Sequence, residues 1–240
     1  MRLLSVLTAL SLLAPSLAAQ QSNPDSLVPA RMRRALVRWP EAIGFVAVAG
    51  ITFASDRAIR DHLHGHGGKF GNAVADLGNG LGNGLIVFPV LALGAGGGWL
   101  VGAKGVAGVN WRALQTTALA AAAAVVLKNS IGRQRPSNSR EDPYVFRLLQ
   151  FKDNSMPSGH TAVAFALAAS LAAETRDHWS DAAFFGLATV TAFARIHYDK
   201  HWASDTVVGA GIGILSARLI HRNRVPLQVG PGGVALTFSF

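Results

Sequence analysis

Six apolar segments, at residues 42–54, 84–103, 113–127, 161–173, 182–194 and 206–220, constrain this chain more than any other feature. None alternates apolar and polar residues with the period of two that a half-buried strand needs, and their richness in Ala and Leu favours helix. The expected fold is therefore all-α. Small residues recur on these segments, at Gly209, Gly211 and Gly213 and from Gly94 to Gly98, where they permit the close helix approach seen in membrane bundles. The segment at 84–103 reaches the ~20 apolar residues of a bilayer span, and the others approach it when flanking polar residues are counted. The reading is a membrane-embedded bundle of five or six core helices, with a soluble bundle of buried helices as the alternative.

Composition agrees. Half of the 240 residues are hydrophobic and 15% are charged, with mean hydropathy +0.31, which is more apolar than an ordinary soluble domain. The absence of cysteine excludes disulfides, thiol nucleophiles and cysteine-ligated zinc. The net charge is +9, but the cations are scattered between apolar segments without a basic run or interleaved aromatics. An anionic membrane surface or a phosphate-bearing substrate suits them better than nucleic acid.

Arg2, the apolar stretch from Leu3 to Leu13 and the small-x-small step Ser16-Leu17-Ala18 read as an export signal at 1–18. A linker at 19–38, a helical domain at 39–222 and a tail at 223–240 follow, the tail carrying one strand-like segment from Val234 to Phe240. If the signal is cleaved and 42–54 packs on the outer surface, five spans remain. The basic stretch at 104–112, read as a loop, and the basic residues at 218–224 then face inward, as positive-inside bias prefers.

Three clusters sit at the ends of apolar segments. In the first, Lys128-x6-Arg135-Pro136, Lys128 closes a helix, Gly132 loosens it, and Pro136 pushes Arg135 into an extended conformation. Two cations arriving from different backbone settings can surround a dianion, although a Lys and Arg there can also serve as dipole partners or surface anchors. In the second, Pro157-Ser158-Gly159-His160, Ser158 is a good N-cap and Gly159 lets backbone N–H groups approach a ligand. A helix start of this kind seats phosphate, and His160 lies close enough to exchange a proton with it. In the third, Arg195-x5-His201-x3-Asp205, the i, i+4 spacing sets Asp205 beside His201 if the helix turn reaches back that far. A carboxylate on one ring nitrogen leaves the other free to attack; the plainer alternative is an ion pair capping a helix.

Taken in this order, the clusters resemble the signature of the type 2 phosphatidic acid phosphatase (PAP2) and vanadium haloperoxidase superfamily: Lys-x6-Arg-Pro, Pro-Ser-Gly-His, then Ser-Arg-x5-His-x3-Asp. The one departure is Ala194 in place of the Ser before Arg195. The motif core spans 128–205, about a third of the chain. The resemblance implies an all-helical PAP2-type core with His201 as nucleophile, Asp205 orienting it and His160 as acid and then base. Lys128, Arg135, Ser158, Gly159 and Arg195 would bind the phosphoryl oxygens. It implies a metal-independent phosphatase without cofactor, forming a phosphohistidine.

Several features fall outside this reading. His62-x-His64-x-His66 would line one face of a strand like a metal site, but the neighbouring glycines favour a polar loop. Gly78-Asn79-Gly80 and Gly82-Asn83-Gly84 look like turns, with no Walker-type Lys following. His197 and Asp199 read as surface residues of the turn before His201, and Trp202 as either a pocket wall or an interface residue.

The expected function is hydrolysis of a lipid phosphate or diphosphate at the outer face of the inner membrane, with the bilayer and the lipid as partners and no nucleic acid. The rivals are a soluble exported acid phosphatase on small phosphomonoesters, a haloperoxidase holding vanadate as cofactor, and a non-enzymatic lipid-binding membrane protein. The sequence leaves oligomeric state open.

Overall fold

The computed structural model describes residues 36–64, 68–139, 142–149, 151–175 and 177–222, and the backbone of 227–230 and 233–236. The export signal and most of the linker lie outside the described residues.

The apolar segments are helices, as expected. Helices α1 (Trp39–Ala54) and α2 (Asp56–Leu63) meet at Ser55, followed by α3 (Gly68–Leu81), α4 (Gly84–Leu100), α5 (Lys104–Ile131), α6 (Gly159–Thr175), α7 (His178–His197) and α8 (Ala203–His221). Helix α6 is central, packed on α5, α7 and α8.

Two features of the sequence reading are corrected. The basic stretch at 104–112 is no loop: it forms the first turns of α5, whose 28 residues run on to Ile131. The turn is made earlier, by Gly102 at φ +75°, and Arg112 is held in the helix by Glu174 of α6, with Nη2 donating to Oε2 at 2.9 Å. The tail carries two strands instead of one, β1 (Leu227–Gly230) pairing antiparallel with β2 (Gly233–Leu236).

The core is made of small side chains. Ala120, Ala124, Ala162 and Ala166 form one buried cluster, and Ala164, Ala168 and Ala188 another. Glycine brings α8 against α6: a Cβ on Gly213 would stand 2.5 Å from the Ala162 carbonyl oxygen, and one on Gly209 2.6 Å from that of Ser158. The large apolar side chains point outward, among them Trp39, Ile43, Leu85, Leu93 and Trp99. Small residues inside and bulky ones outside is the arrangement of helices solvated by lipid, where close backbone approach replaces hydrophobic burial as the cohesive element.

Helices α5 and α8 are each long and apolar enough to cross a membrane. Segment 84–103, which reads as the one full-length span, forms the 17-residue α4. It passes only together with α3, bent by 50°; α1 and α2 pass together with a bend of 66°. Each break delivers side chains to one end of the bundle.

Candidate active site

All three clusters meet at that end. Lys128 lies in the last turn of α5, which stops at Gly132 in the left-handed conformation (φ 64°). No other residue fits there, because a Cβ would fall 1.7 Å from the Arg147 carbonyl oxygen. Arg135 is extended (φ −70°, ψ 153°) before Pro136, as the sequence requires. The chain then folds back on itself: Gln134 N–H donates to Val145 O at 2.9 Å, Ser155 N–H to Arg133 O at 2.7 Å and Arg147 N–H to Gly132 O at 2.8 Å.

Ser158 is fully buried immediately before α6. Its hydroxyl accepts from Thr161 Oγ1 at 3.0 Å and from the Thr161 N–H at 3.4 Å, and its own N–H donates to the Asp205 carbonyl at 3.0 Å. That bond locks the second cluster onto the third. His160 occupies the second position of α6, beside Gly82, where a Cβ would press on the His160 carbonyl oxygen at 2.7 Å.

Arg195 is buried near the end of α7. Its carbonyl accepts from the N–H groups of Lys200 at 3.0 Å and His201 at 3.1 Å, curling the turn so that His201 returns beneath the helix end. Helix α8 starts at Ala203, with Trp202 as N-cap, and one turn carries Asp205 Oδ2 to 3.5 Å from His201 Nδ1. Oδ2 already accepts from the Trp202 N–H at 2.9 Å, and Nδ1 makes no hydrogen bond among the described residues. The pair is thus at ion-pair distance, short of a hydrogen bond, a looseness common in resting sites. Burial pushes the His201 imidazole down to about 3 despite the opposing pull of Asp205, so the ring is neutral at physiological pH.

The cations converge on the two histidines. The charges of Arg195, Lys128 and Arg135 all act on His160, and those of Lys128 and Arg195 also on His201. Arg195 Nη1 is hydrogen-bonded to Asn79 Oδ1, while its buried Nε has no acceptor among the described residues. All eight site residues expected from the sequence therefore gather at one end of the bundle.

Other residues take places the sequence did not reveal. Gly78 and Asn79 are helical, within α3, and not a turn. A Cβ on Gly78 would meet the Val190 carbonyl oxygen at 2.3 Å, so this glycine lets α3 approach α7 and present Asn79 to Arg195. His197 is buried, with Nε2 2.8 Å from Asn72 Oδ1, and Asp199 accepts from Arg60 Nε at 2.8 Å; neither is a plain surface residue. His62 belongs to α2, and His64 braces the turn, its Nδ1 3.1 Å from the His197 carbonyl; His66 lies outside the described residues. Trp202 is a wall, fully buried, its indole N–H donating to Gln134 O at 3.0 Å. Most consequential are Asp56 and Arg133, both fully or almost fully buried and joined at 2.7 Å.

A family model described as the PAP2 superfamily matches residues 110–227, which contain all three clusters. The stretch that carries the site is thus similar to the PAP2 superfamily over 110–227. A curated relative, lipid A 1-phosphatase from Porphyromonas gingivalis, is 39% identical over 94 residues, 38% of this chain and 18% of the relative. The chain thus spans about a fifth of that relative's length. Among solved structures, LpxE from Aquifex aeolicus superposes with a TM-score of 0.51 at 23% identity, covering 69% of this chain and 93% of that one. The transmembrane PAP2-type phosphatidylglycerolphosphate phosphatase from Bacillus subtilis gives 0.57 at 19% identity, covering 75% and 93%. At these identities the two structures establish a shared PAP2 fold.

Proposed function

We propose that this chain is a phosphatase that hydrolyses a lipid phosphate or diphosphate through a phosphohistidine on His201, without a metal ion. The observation that carries the reading is the positive charge of Lys128, Arg135 and Arg195 acting on His160, and of Lys128 and Arg195 on His201, with the buried Arg195 Nε unpaired among the described residues. A phosphoryl oxygen supplies the acceptor that this donor lacks, and the surrounding positive charge suits a dianion.

In the proposed cycle the phosphate is held by Lys128, Arg135, Arg195, the Ser158 hydroxyl and the Gly159 N–H. His201 Nε2 attacks phosphorus while Asp205 orients the ring from Nδ1. His160 gives its proton to the departing alkoxide, then takes one from the water that cleaves the phosphohistidine, releasing phosphate and restoring both histidines. Fixed cations neutralise the charge that spreads over the equatorial oxygens.

Lipid is favoured over a small soluble ester by the outward-facing apolar surface and by the connection between the first two clusters. There Leu148, Leu149 and Phe151 are exposed by 76%, 72% and 78%, a patch whose natural solvent is acyl chain. The relatives named above are themselves described as lipid phosphatases. Residues 39–222 would form the catalytic domain, in the inner membrane with the site facing outward. The test is phosphate release in detergent, with EDTA present, from phosphatidate, a polyprenyl diphosphate and a lipid A-type glycosyl phosphate, against a soluble aryl phosphate. Preference for a lipid supports the reading. Preference for the soluble ester, or halide oxidation on adding vanadate, overturns it.

A further inference from the structure

Behind the histidine lies a polar cluster that the proposed reaction does not use. Arg133 is completely buried and spends each face of its guanidinium. Nε donates to the Pro143 carbonyl at 2.9 Å, Nη1 to Ser204 Oγ at 2.7 Å and Asp205 Oδ1 at 2.8 Å, and Nη2 to Asp56 Oδ2 at 2.7 Å. Asp56 in turn accepts from the Ser204 N–H at 2.8 Å and the Ser204 hydroxyl at 2.5 Å. Aromatic rings cover the guanidinium, with centroids of Phe53 at 4.8 Å, Trp202 at 5.5 Å and Phe146 at 5.7 Å.

The wiring is directional. Asp205 has two oxygens, and Arg133 takes Oδ1, so that Oδ2 is the one turned toward His201 Nδ1. Without Arg133 the Trp202 N–H on Oδ2 would be left to hold the carboxylate against rotation about its terminal bond, a broad two-fold torsion. Without Asp56, which comes from the break between α1 and α2, Arg133 would lose the contact that draws its Nη2 arm to the opposite side. A planar fork can hold two carboxylates and a carbonyl at once; a lysine cannot. The aromatic cover keeps water out, so the orientation is enforced in a medium of low dielectric.

We propose that Asp56 and Arg133 are positioning residues for the catalytic histidine, acting through Asp205: the bend between α1 and α2 sets the aim of His201. The inference rests on the reading of His201 as nucleophile. It adds the two outer links, one of which lies 72 residues before the first cluster. A carboxylate behind a working histidine is commonly supported in this way, and loss of such a support costs about 10- to 100-fold.

The test is single-turnover kinetics with enzyme in excess on the preferred substrate, for wild type, Asp56→Asn, Arg133→Lys and the double variant, alongside a thermal melt of each. With enzyme in excess the rate constant reports competent sites and is insensitive to a modest unfolded fraction, which separates positioning from stability. The expected result is at least about tenfold slower turnover in each single variant with KM within about twofold, and a double variant no slower than Arg133→Lys alone, because both act on one link. A folded single variant within twofold of wild type overturns the inference, and so does a double variant whose loss is the product of the two. Should Arg133→Lys not fold, the near-isosteric Asp56→Asn decides alone by the same rate criterion. A wild type that does not turn over at all contradicts instead the phosphatase reading on which the inference stands.

Discussion

Asp205 presents Oδ2 to His201 Nδ1 at 3.5 Å while a backbone N–H holds that same oxygen at 2.9 Å. The carboxylate is therefore placed by its surroundings and not by the histidine it serves. Asp205→Asn keeps the shape but removes the charge that, in the proposed cycle, would stabilise the ring as it gains a phosphoryl group. It is expected to lower kcat on the order of 100-fold or more with little change in KM, as steady-state assays on the preferred lipid would report. An equal rise in KM would mean that Asp205 shapes substrate binding instead.

The buried, neutral His201 has a consequence for stability. Its ordinary value is 6.5 and burial lowers it to about 3, so between these values the unfolded chain binds a proton that the folded chain does not. Stability then falls as pH drops below 6.5, with the loss complete near 3. Melting temperatures of wild type and His201→Asn, compared from about pH 4 to pH 7, should show the steeper acid decline in wild type. Parallel curves would place the imidazole in water.

Two glycines of the site should behave oppositely. Gly132→Ala collides with the Arg147 carbonyl at 1.7 Å in a left-handed turn, and is expected to destabilise by roughly 1–3 kcal/mol or to prevent folding. Gly159→Ala meets nothing within 4 Å and should melt with wild type, so any lost activity there reflects crowding of bound phosphate. Equal melting temperatures for the two variants would contradict the turn geometry.

Arg195 Nε is a buried donor without an acceptor among the described residues. Arg195→Met should raise the barrier by about 2–4 kcal/mol, as loss of a preorganised donor does, read from kcat/KM. A loss below threefold would remove this residue from the phosphate site.

The exposed loop residues test the nature of the substrate. Replacing Leu148, Leu149 and Phe151 together by Ser should raise KM for a lipid phosphate in mixed micelles and leave hydrolysis of a soluble aryl phosphate unchanged. An equal effect on both substrates would assign the loop to folding alone.

The helical class was legible in the sequence, and so were the three clusters that supply the candidate site residues, because both are written locally. Ala-rich segments without alternation specify helix, and short spacings such as His201-x3-Asp205 survive as spacings on one turn. The supporting residues are written at long range. Asp56 meets Ser204 across 148 positions, and nothing beside Asp56 distinguishes it from a polar helix start. Arg133 sits in Gly132-Arg133-Gln134-Arg135, where the following arginine draws attention by preceding proline. The residues at 104–112 suggest a loop through their charge and glycine, but the Glu174 partner that makes Arg112 welcome in a helix lies 62 residues away. Asn79 is hidden in the same way, between glycines that signal turns locally but close helix approach in three dimensions.

The central claim is a covalent bond between His201 and phosphorus, and acid-labile, alkali-stable phosphoenzyme is its direct signature. Wild type, His160→Ala and His201→Ala would be mixed in detergent with a lipid phosphate radiolabelled in the scissile phosphoryl group and quenched in alkali. Label on His201 in the wild type and none in His201→Ala is the predicted result. Turnover by His201→Ala at the wild-type rate, or label on another residue, would contradict the account.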